Sequence, residues 1–432
     1  MPVIRPFRCV RPAEDKASAI AALPYDVYNR KEAKAVVKDN PLSFLKIDRA
    51  ETQFPEDIDM YSPQVYERAR QTFQEMIKDG SFVTEEAACY FLYALTYNGR
   101  TQTGIVGCAS VDDYLNGTIR RHENTREDKE KDRICHIDTM NAQTGPIFLA
   151  YRRQAELERI VRKVKEFPPL YDFTSEDGIR HEVWRIEADS QETEKIGEIF
   201  FRIGCVYIAD GHHRAASAVK VGLKRRQEYP DYDGTEEFNY FLSVLFPENE
   251  LQIYDYNRVV TGLNGLSFEE LLKGIEKHFH IEEKALIFRP ERKGEVGMYG
   301  NGRWYRLTAH EDLYTGEPVE DLDVSVLQNY ILEPLLGIKN PKAEPRLTFV
   351  GGIRGLEELV RLVDEAALNR TPLKREEKVA FAMYPTSMEE LLAVADAGGL
   401  MPPKSTWFEP KLRSGLFIHM IEANSESAAT NM

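Results

Sequence analysis

The stretch Cys205-Val206-Tyr207-Ile208-Ala209-Asp210-Gly211-His212-His213-Arg214-Ala215-Ala216 constrains this chain more than any other. Val206–Ala209 reads as a short buried strand that runs straight into Asp210, and Gly211 supplies a tight turn. A helix is expected from about His213 to Val221, packed through Ala215, Ala216, Ala218 and Val219. Such a turn aims unpaired backbone N–H groups and the positive end of a helix dipole at one point. Gly211 lets a ligand approach the backbone with no Cβ in the way. Arg214 adds a planar fork of donors matched to phosphate oxygens. His212 and His213 can donate, accept or shuttle a proton near neutrality. The segment suits an anion. The plainer alternative is Asp210 as an ordinary helix cap, which leaves three ionisable side chains in a row unexplained.

At 432 residues the chain is long for one hydrophobic core, so two lobes are expected. We place them at 1–265 and 266–421, followed by an unstructured polar tail at 422–432. Asn98-Gly99 and Asn301-Gly302 are hairpin turns; the first joins strands Cys89–Tyr97 and Thr103–Val111. Further strands are expected at Pro2–Val10, Glu182–Ile186, Phe238–Phe246 and Val379–Met383. Helical spacing or punctuation marks Arg30–Asp39, Glu67–Asp79, Ala155–Glu166, Gln191–Arg202, Phe268–Phe279, Val324–Leu335, Leu356–Ala367 and Met388–Ala397. The fold class is therefore α/β (or α+β), with a mixed, partly antiparallel sheet and packed helices.

The net charge of −15 argues against a duplex-DNA binder, which needs a basic face to displace counterions. Five scattered cysteines without CxxC spacing argue against a disulfide framework or a thiolate zinc site. The N-terminus MPVIRPFRCVRP has no apolar run of signal-peptide length. No segment approaches the roughly 20 apolar residues that cross a bilayer. A cytoplasmic protein without membrane or nucleic-acid partners is expected.

A second cluster, Arg120-Arg121-His122-Glu123-Asn124-Thr125, continues to Asp132-Arg133. Arg121 or Arg133 on a phosphate, with Thr125 nearby and His122 or Glu123 as base, is reasonable chemistry. For Glu127–Lys131 a solvated charge run is the better reading; for Arg121–Thr125 both readings stay open. Pro24-Tyr25-Asp26-Val27 is a third candidate, its carboxylate suited to a base, a substrate amine or a water-bridged magnesium. Pro402-Pro403-Lys404-Ser405-Thr406, with Lys411, lacks the glycine framework of a Walker site. HExxH and GxSxG are also absent from the sequence, so neither a protein-only zinc site nor a serine hydrolase is expected.

These residues carry a resemblance. The strand–DGHHR–Ala-Ala helix is similar to the phosphate-binding turn of the ParB/sulfiredoxin-like superfamily. The whole chain resembles domain of unknown function 1015 through LPYDV (23–27), GTIRRHENT (117–125), NAQTGPIFLAY (141–151), IADGHHRAA (208–216) and MPPKSTWFEPKLRSGLF (401–417). The resemblance implies a ParB/sulfiredoxin-like core plus a C-terminal lobe, with a nucleotide phosphate or phosphorylated small molecule at Asp210–Arg214. Sulfiredoxin-like members carry a cysteine where this chain has His212, which speaks against sulfinic-acid repair. The DGHHR form looks instead like the free-serine kinases, and the family's association with serine biosynthesis implies serine or O-phosphoserine as substrate.

The expected function is phosphoryl transfer between ATP or ADP, with magnesium, and a small hydroxyl substrate. Gly211, His212, His213 and Arg214 would hold phosphate, with Arg121, Thr125 and Arg133 in support. His122, Glu123, His212 and Asp210 are the catalytic candidates, and Tyr25 and Asp26 the substrate or magnesium candidates. The alternatives are an O-phosphoserine phosphatase that needs no nucleotide and a non-enzymatic nucleotide-binding regulator of ParB type. A monomer and a homodimer are both left open.

Overall fold

Asn98 and Gly99 both take positive φ, 50° and 76°, which a two-residue type I′ hairpin demands. They join two central strands of a large sheet in the computed structural model, which describes residues 1–368 and 377–422. Among the described residues nine strands form this sheet. In chain order they are Ile4–Arg5 (β1), Tyr90–Tyr97 (β2), Arg100–Ser110 (β3), Ile119–Arg120 (β4), Ile147–Tyr151 (β5), Tyr171–Thr174 (β6), Arg180–Ile186 (β7), Val206–Asp210 (β8) and Tyr240–Pro247 (β9). Across the sheet they lie β4-β8-β5-β9-β3-β2-β7-β6, with β1 beside β3. β4 with β8 and β5 with β9 are parallel; β8 with β5, and the run from β9 through to β6, are antiparallel. The chain is mixed α/β, as its pattern indicates.

β2 is buried along both faces, which its unbroken run YFLYAL requires. Tyr90, Leu92 and Ala94 join a core with Ile196, Phe200, Ala215 and Val219 from the helices. Phe91 and Tyr93 point the other way, against Phe417. A second core gathers around helices Leu45–Asp48 (α1) and Pro63–Lys78 (α2), with Phe44, Ile47, Val65, Phe73 and Phe82. A smaller antiparallel sheet lies beside it, in the order Phe82–Thr84, Cys9–Pro12, Ile418–Met420, Ala142–Gln143. Helix Glu127–Met140 (α3) packs on α2 and on helix His212–Glu228 (α4).

The chain divides into two compact units. Met1–Leu251 and the segment from Pro410 onward form the first, and Gln252–Glu409 the second. The second unit is built on a six-stranded antiparallel sheet of Phe279–Lys284, Arg303–Ala309, Glu295–Gly300, Lys378–Met383, Tyr256–Thr261 and Leu347–Gly351. The Asn301-Gly302 turn joins two of these strands, and helix Glu357–Leu368 packs on the sheet.

Several expectations are corrected. The strand expected at Pro2–Val10 is two short ones, Ile4–Arg5 and Cys9–Pro12, in different sheets. Residues 127–140 fold into α3; of the run 127–131, Glu127, Asp128 and Lys131 are exposed as expected, and Glu130 alone is buried. The helix expected at Val324–Leu335 is Asp323–Leu327, passing into a π-helical turn at Gln328–Leu332. The helix expected to end at Phe279 ends at Ile275, and Phe279 opens a strand. Of the tail expected from 422, residues 423–432 lie outside the described residues.

Gly222, inside α4, is a tight point. A Cβ there would lie 2.6 Å from the carbonyl oxygen of Phe238. Alanine gains up to about 1 kcal/mol of helix propensity, but overpacking of this kind costs about 1–3 kcal/mol. Gly222→Ala is expected to lower the melting temperature; an unchanged or raised value would mean that α4 shifts freely.

Candidate functional site

The pairing of β8 with β5 slips at one place: Ile208 faces Leu149 and Asp210 faces Phe148, so Ala209 is an extra residue. A bulge re-aims the side chains that follow it, here the residues of the DGHHR turn. Gly211 then takes φ 93° and ψ 31° and starts α4. Asp210 is not the helix cap; its Oδ1 accepts the neighbouring Gly211 N–H at 2.8 Å, and its Oδ2 meets Lys411 Nζ at 2.9 Å. Burial opposes ionisation, but Lys411 and Arg214 outweigh it and hold the carboxyl below its usual range. Arg214 folds back over the turn: a Cβ on Gly211 would touch its guanidinium at 3.0 Å. Arg214 Nη1 donates to Pro146 O at 2.5 Å.

The two imidazoles of the turn part company. His213 Nε2 accepts the Arg126 backbone N–H at 3.0 Å, tying the loop ahead of α3 to α4. His212 goes inward, its ring edge-on to His122 with centroids 4.5 Å apart. Both His122 and His212 are buried. Among the described residues no side chain hydrogen-bonds to either ring nitrogen of His122 or to Nε2 of His212, and the Ile208 backbone lies against His122. Burial pushes His122 down to about 4 and His212 well below its ordinary value, so both are neutral near pH 7. Glu123 Oε2 lies 3.8 Å from His212 Nδ1. Among the described residues no three His, Cys, Asp or Glu side chains are arranged to hold a metal ion.

Two cavities lie in the first unit. A cavity of about 230 Å³ is lined by Tyr25, Asp26, Asp48, Arg49, Glu51, Tyr66, Asp132, Arg133 and His136, among others. A smaller one of about 30 Å³ shares Tyr25, Asp48, Arg133 and His136, and adds Thr144, Gly145, Arg214 and Ser414. Arg133 is buried against Asp132, with Nε to Oδ2 at 2.9 Å, and its guanidinium lies 3.9 Å from the Tyr25 ring centroid. Burial disfavours its charge, but Asp132 and Tyr25 overcome this and keep it ionised. Burial also raises the Tyr25 hydroxyl to about 12. His136, held down to about 4 by burial and by Arg133, contributes a neutral ring.

Of the residues singled out from sequence, Tyr25, Asp26, Arg133 and Arg214 therefore gather around the cavities. His122, Glu123 and His212 gather beside Asp210 and line neither one. Arg121 is exposed, with its guanidinium 5.0 Å from the ring centroid of Tyr114. Thr125 interacts with Glu130. Sequence reasoning passed over Asp48, His136, Thr144 and Ser414. For two of these a signal existed, because Thr144 and Ser414 lie in the NAQTG and KLRSG stretches.

A second buried network holds the segment that carries Lys411 and Ser414. Arg413 Nε donates to His181 Nε2 at 3.3 Å, and Arg413 Nη2 to Ser175 Oγ at 3.0 Å and to Asp177 Oδ2 at 2.5 Å. His181 Nδ1 lies 2.8 Å from the Tyr93 hydroxyl. Burial and Arg413 lower His181 to about 3.

No helix among the described residues is long and apolar enough to cross a membrane. Solved structures similar to this chain include a free serine kinase mutant in complex with AMP, at 14% identity and TM-score 0.34, covering 73% of this chain and 92% of that one. A second free serine kinase mutant, in complex with ADP, matches at 14% identity and TM-score 0.33, over 73% and 92%. SbnI with C-terminal truncation, from Staphylococcus aureus, matches at 12% identity and TM-score 0.38, over 75% and 93%. No curated protein matches. Residues 4–325 match the family model described as "Protein of unknown function (DUF1015)". With some three quarters of its length matched, the chain belongs to the DUF1015 family.

Proposed function

We propose that this protein moves a phosphoryl group between a nucleotide (ATP or ADP, with magnesium) and a small hydroxyl substrate, serine and O-phosphoserine being the leading pair. The observation that carries the reading is Arg214: its guanidinium lies over the Gly211 turn and also lines a cavity walled by Arg133. Phosphoryl transfer is mostly positioning and charge neutralisation, which Arg214 in the first turn of α4 and Arg133 in the same cavity wall would supply. Arg214 and the backbone N–H groups opening α4 would take phosphate oxygens. Asp26, exposed at the cavity rim, would accept the substrate's hydroxyl proton. His122 and His212, expected as acid–base groups, are buried and line neither cavity, so this reading gives them no proton to move. Among the described residues no three His, Cys, Asp or Glu side chains are arranged to hold magnesium without the nucleotide.

The test is ligand-induced thermal stabilisation of the wild type and of Arg214→Ala, with ATP, ADP, CTP, serine, O-phosphoserine and phosphate, each with magnesium. A ligand at 100 times its dissociation constant stabilises by about 2.7 kcal/mol. A nucleotide together with serine or O-phosphoserine is expected to raise the wild-type melting temperature and to leave Arg214→Ala unmoved. Stabilisation by O-phosphoserine or phosphate alone would favour a phosphatase. No stabilisation by any of them would refute the phosphate turn.

A further inference from the structure

The walls of the larger cavity are not balanced in charge. Four carboxylates (Asp26, Asp48, Glu51, Asp132) face three cations (Arg49, Lys129, Arg133), with His136 neutral. Both arginines are already engaged. Arg49 Nε donates to Glu51 at 2.6 Å, and Arg49 Nη1 to the carbonyls of Tyr25 and Tyr28. Arg133 is held by Asp132 and Tyr25. Asp26 and Lys129 belong to the more open wall. The carboxylate left over is Asp48.

Asp48 closes α1 and is 95% buried. Its Oδ1 accepts the Thr144 hydroxyl at 2.9 Å and lies 3.9 Å from His136 Nε2. Among the described residues no lysine or arginine forms an ion pair with Asp48, and no hydrogen bond reaches its Oδ2. A buried carboxylate is costly unless it is paired. Arg133 also feels the Asp48 charge but is hydrogen-bonded to Asp132; the direct partners of Asp48 are one hydroxyl and a neutral imidazole, and the cavity gives it room for a cationic group. Asp48 also lines the smaller cavity with Arg214.

We infer that Asp48 is the counter-charge for a protonated amine, so that the site selects a small amino compound over its hydroxy counterpart. This rests on the phosphoryl-transfer reading above. Asp48 thereby becomes a specificity-determining residue, and Thr144 a positioning residue that fixes its carboxylate.

The experiment is isothermal titration of the full chain with O-phosphoserine and with 3-phosphoglycerate, which differ in carrying an ammonium or a hydroxyl at the same carbon. A hydrogen bond to a charged group of this kind corresponds to at least about tenfold in affinity, so O-phosphoserine is expected to bind the wild type tighter by that factor. Asp48→Asn, similar in shape, is expected to erase the difference while nucleotide binding and melting temperature hold. Thr144→Val, which keeps the carboxylate but frees it, is expected to reduce the difference in part. Equal binding of the two compounds to the wild type, or a preference that survives in Asp48→Asn, overturns the inference. If a nucleotide binds and neither three-carbon phosphate does, the inference fails and nucleotide binding stands. If the preference is present and no nucleotide binds, phosphoryl transfer fails and amine recognition stands.

Discussion

Lowering the pH from 7 to 5 is expected to unfold the first unit while the second holds. Four histidines of the first unit, His122, His136, His181 and His212, are buried and kept neutral. Burial is the first cause in each case, seconded at His136 by Arg133 and at His181 by Arg413. A histidine whose folded value is depressed adds stability above its unfolded value near 6.5 and loses it as the pH falls toward the folded value. The unfolded chain takes up protons that the native fold refuses. At pH 5 this amounts to about 2 kcal/mol for a ring held near 4, and the four shifts all act in the same direction against the 5–15 kcal/mol that typically holds a domain. In the second unit Asp323 runs the other way: burial raises its carboxyl to about 6. Its protonation between pH 7 and pH 5 relieves a buried charge and stabilises by about 1 kcal/mol. Circular dichroism and tryptophan fluorescence can separate the two, because Trp184 reports on the first unit and Trp304 and Trp407 on the second. A single acid transition below pH 4 would show that these histidines protonate without harm. His122→Leu should lower the midpoint at modest stability cost near pH 7, since the ring is neutral and buried there.

Arg133→Ala is expected to be the most damaging single substitution in the cavity wall. It removes the guanidinium from the Tyr25 ring and leaves Asp132 buried with only the Tyr66 hydroxyl, which donates at 2.9 Å. Breaking a buried pair by removing one member costs about 3–5 kcal/mol, and urea unfolding of the first unit would measure it. Changing both partners, Asp132→Asn with Arg133→Met, should recover much of the loss, because no uncompensated charge remains. Because Arg133 lines both cavities, the double variant is still expected to bind phosphorylated ligands poorly. A double variant as unstable as the single one would place the energy in packing rather than in charge.

What could be read from the sequence follows from where each signal resides. The Asn-Gly hairpins and the strand-to-helix turn at Gly211 are local, set by positive φ at a few residues and by the switch from β-branched to alanine-rich composition. Asp132 and Arg133 were visible as charged residues, but not as buried ones, because their partners Tyr66 and Tyr25 lie far away in the chain. The same distance separates Glu130 from Lys220, and so the one buried member of the otherwise exposed run 127–131 carries no sequence signal. His122 and His212 have the right chemistry for acid–base work, yet burial decides their charge, and burial is a property of the fold. Asp48 ends a four-residue helix and carries no motif; only Thr144, arriving from elsewhere in the chain, singles it out.

The return of the chain at Pro410 has a temporal consequence. Strand Ile418–Met420 inserts between Cys9–Pro12 and Ala142–Gln143, and the same segment brings Lys411 to Asp210 and Ser414 to the smaller cavity. Contacts between such distant segments close slowly, because the loop entropy must be lost before they form. On the ribosome, β2 through β9 can assemble while the second unit is still being made, but the turn at Asp210 then lacks its lysine. A nascent chain halted before residue 410 would carry a nearly finished sheet and an unfinished site. Ligand binding would thus report not simply that the first unit has folded, but that the chain has been made past Met420.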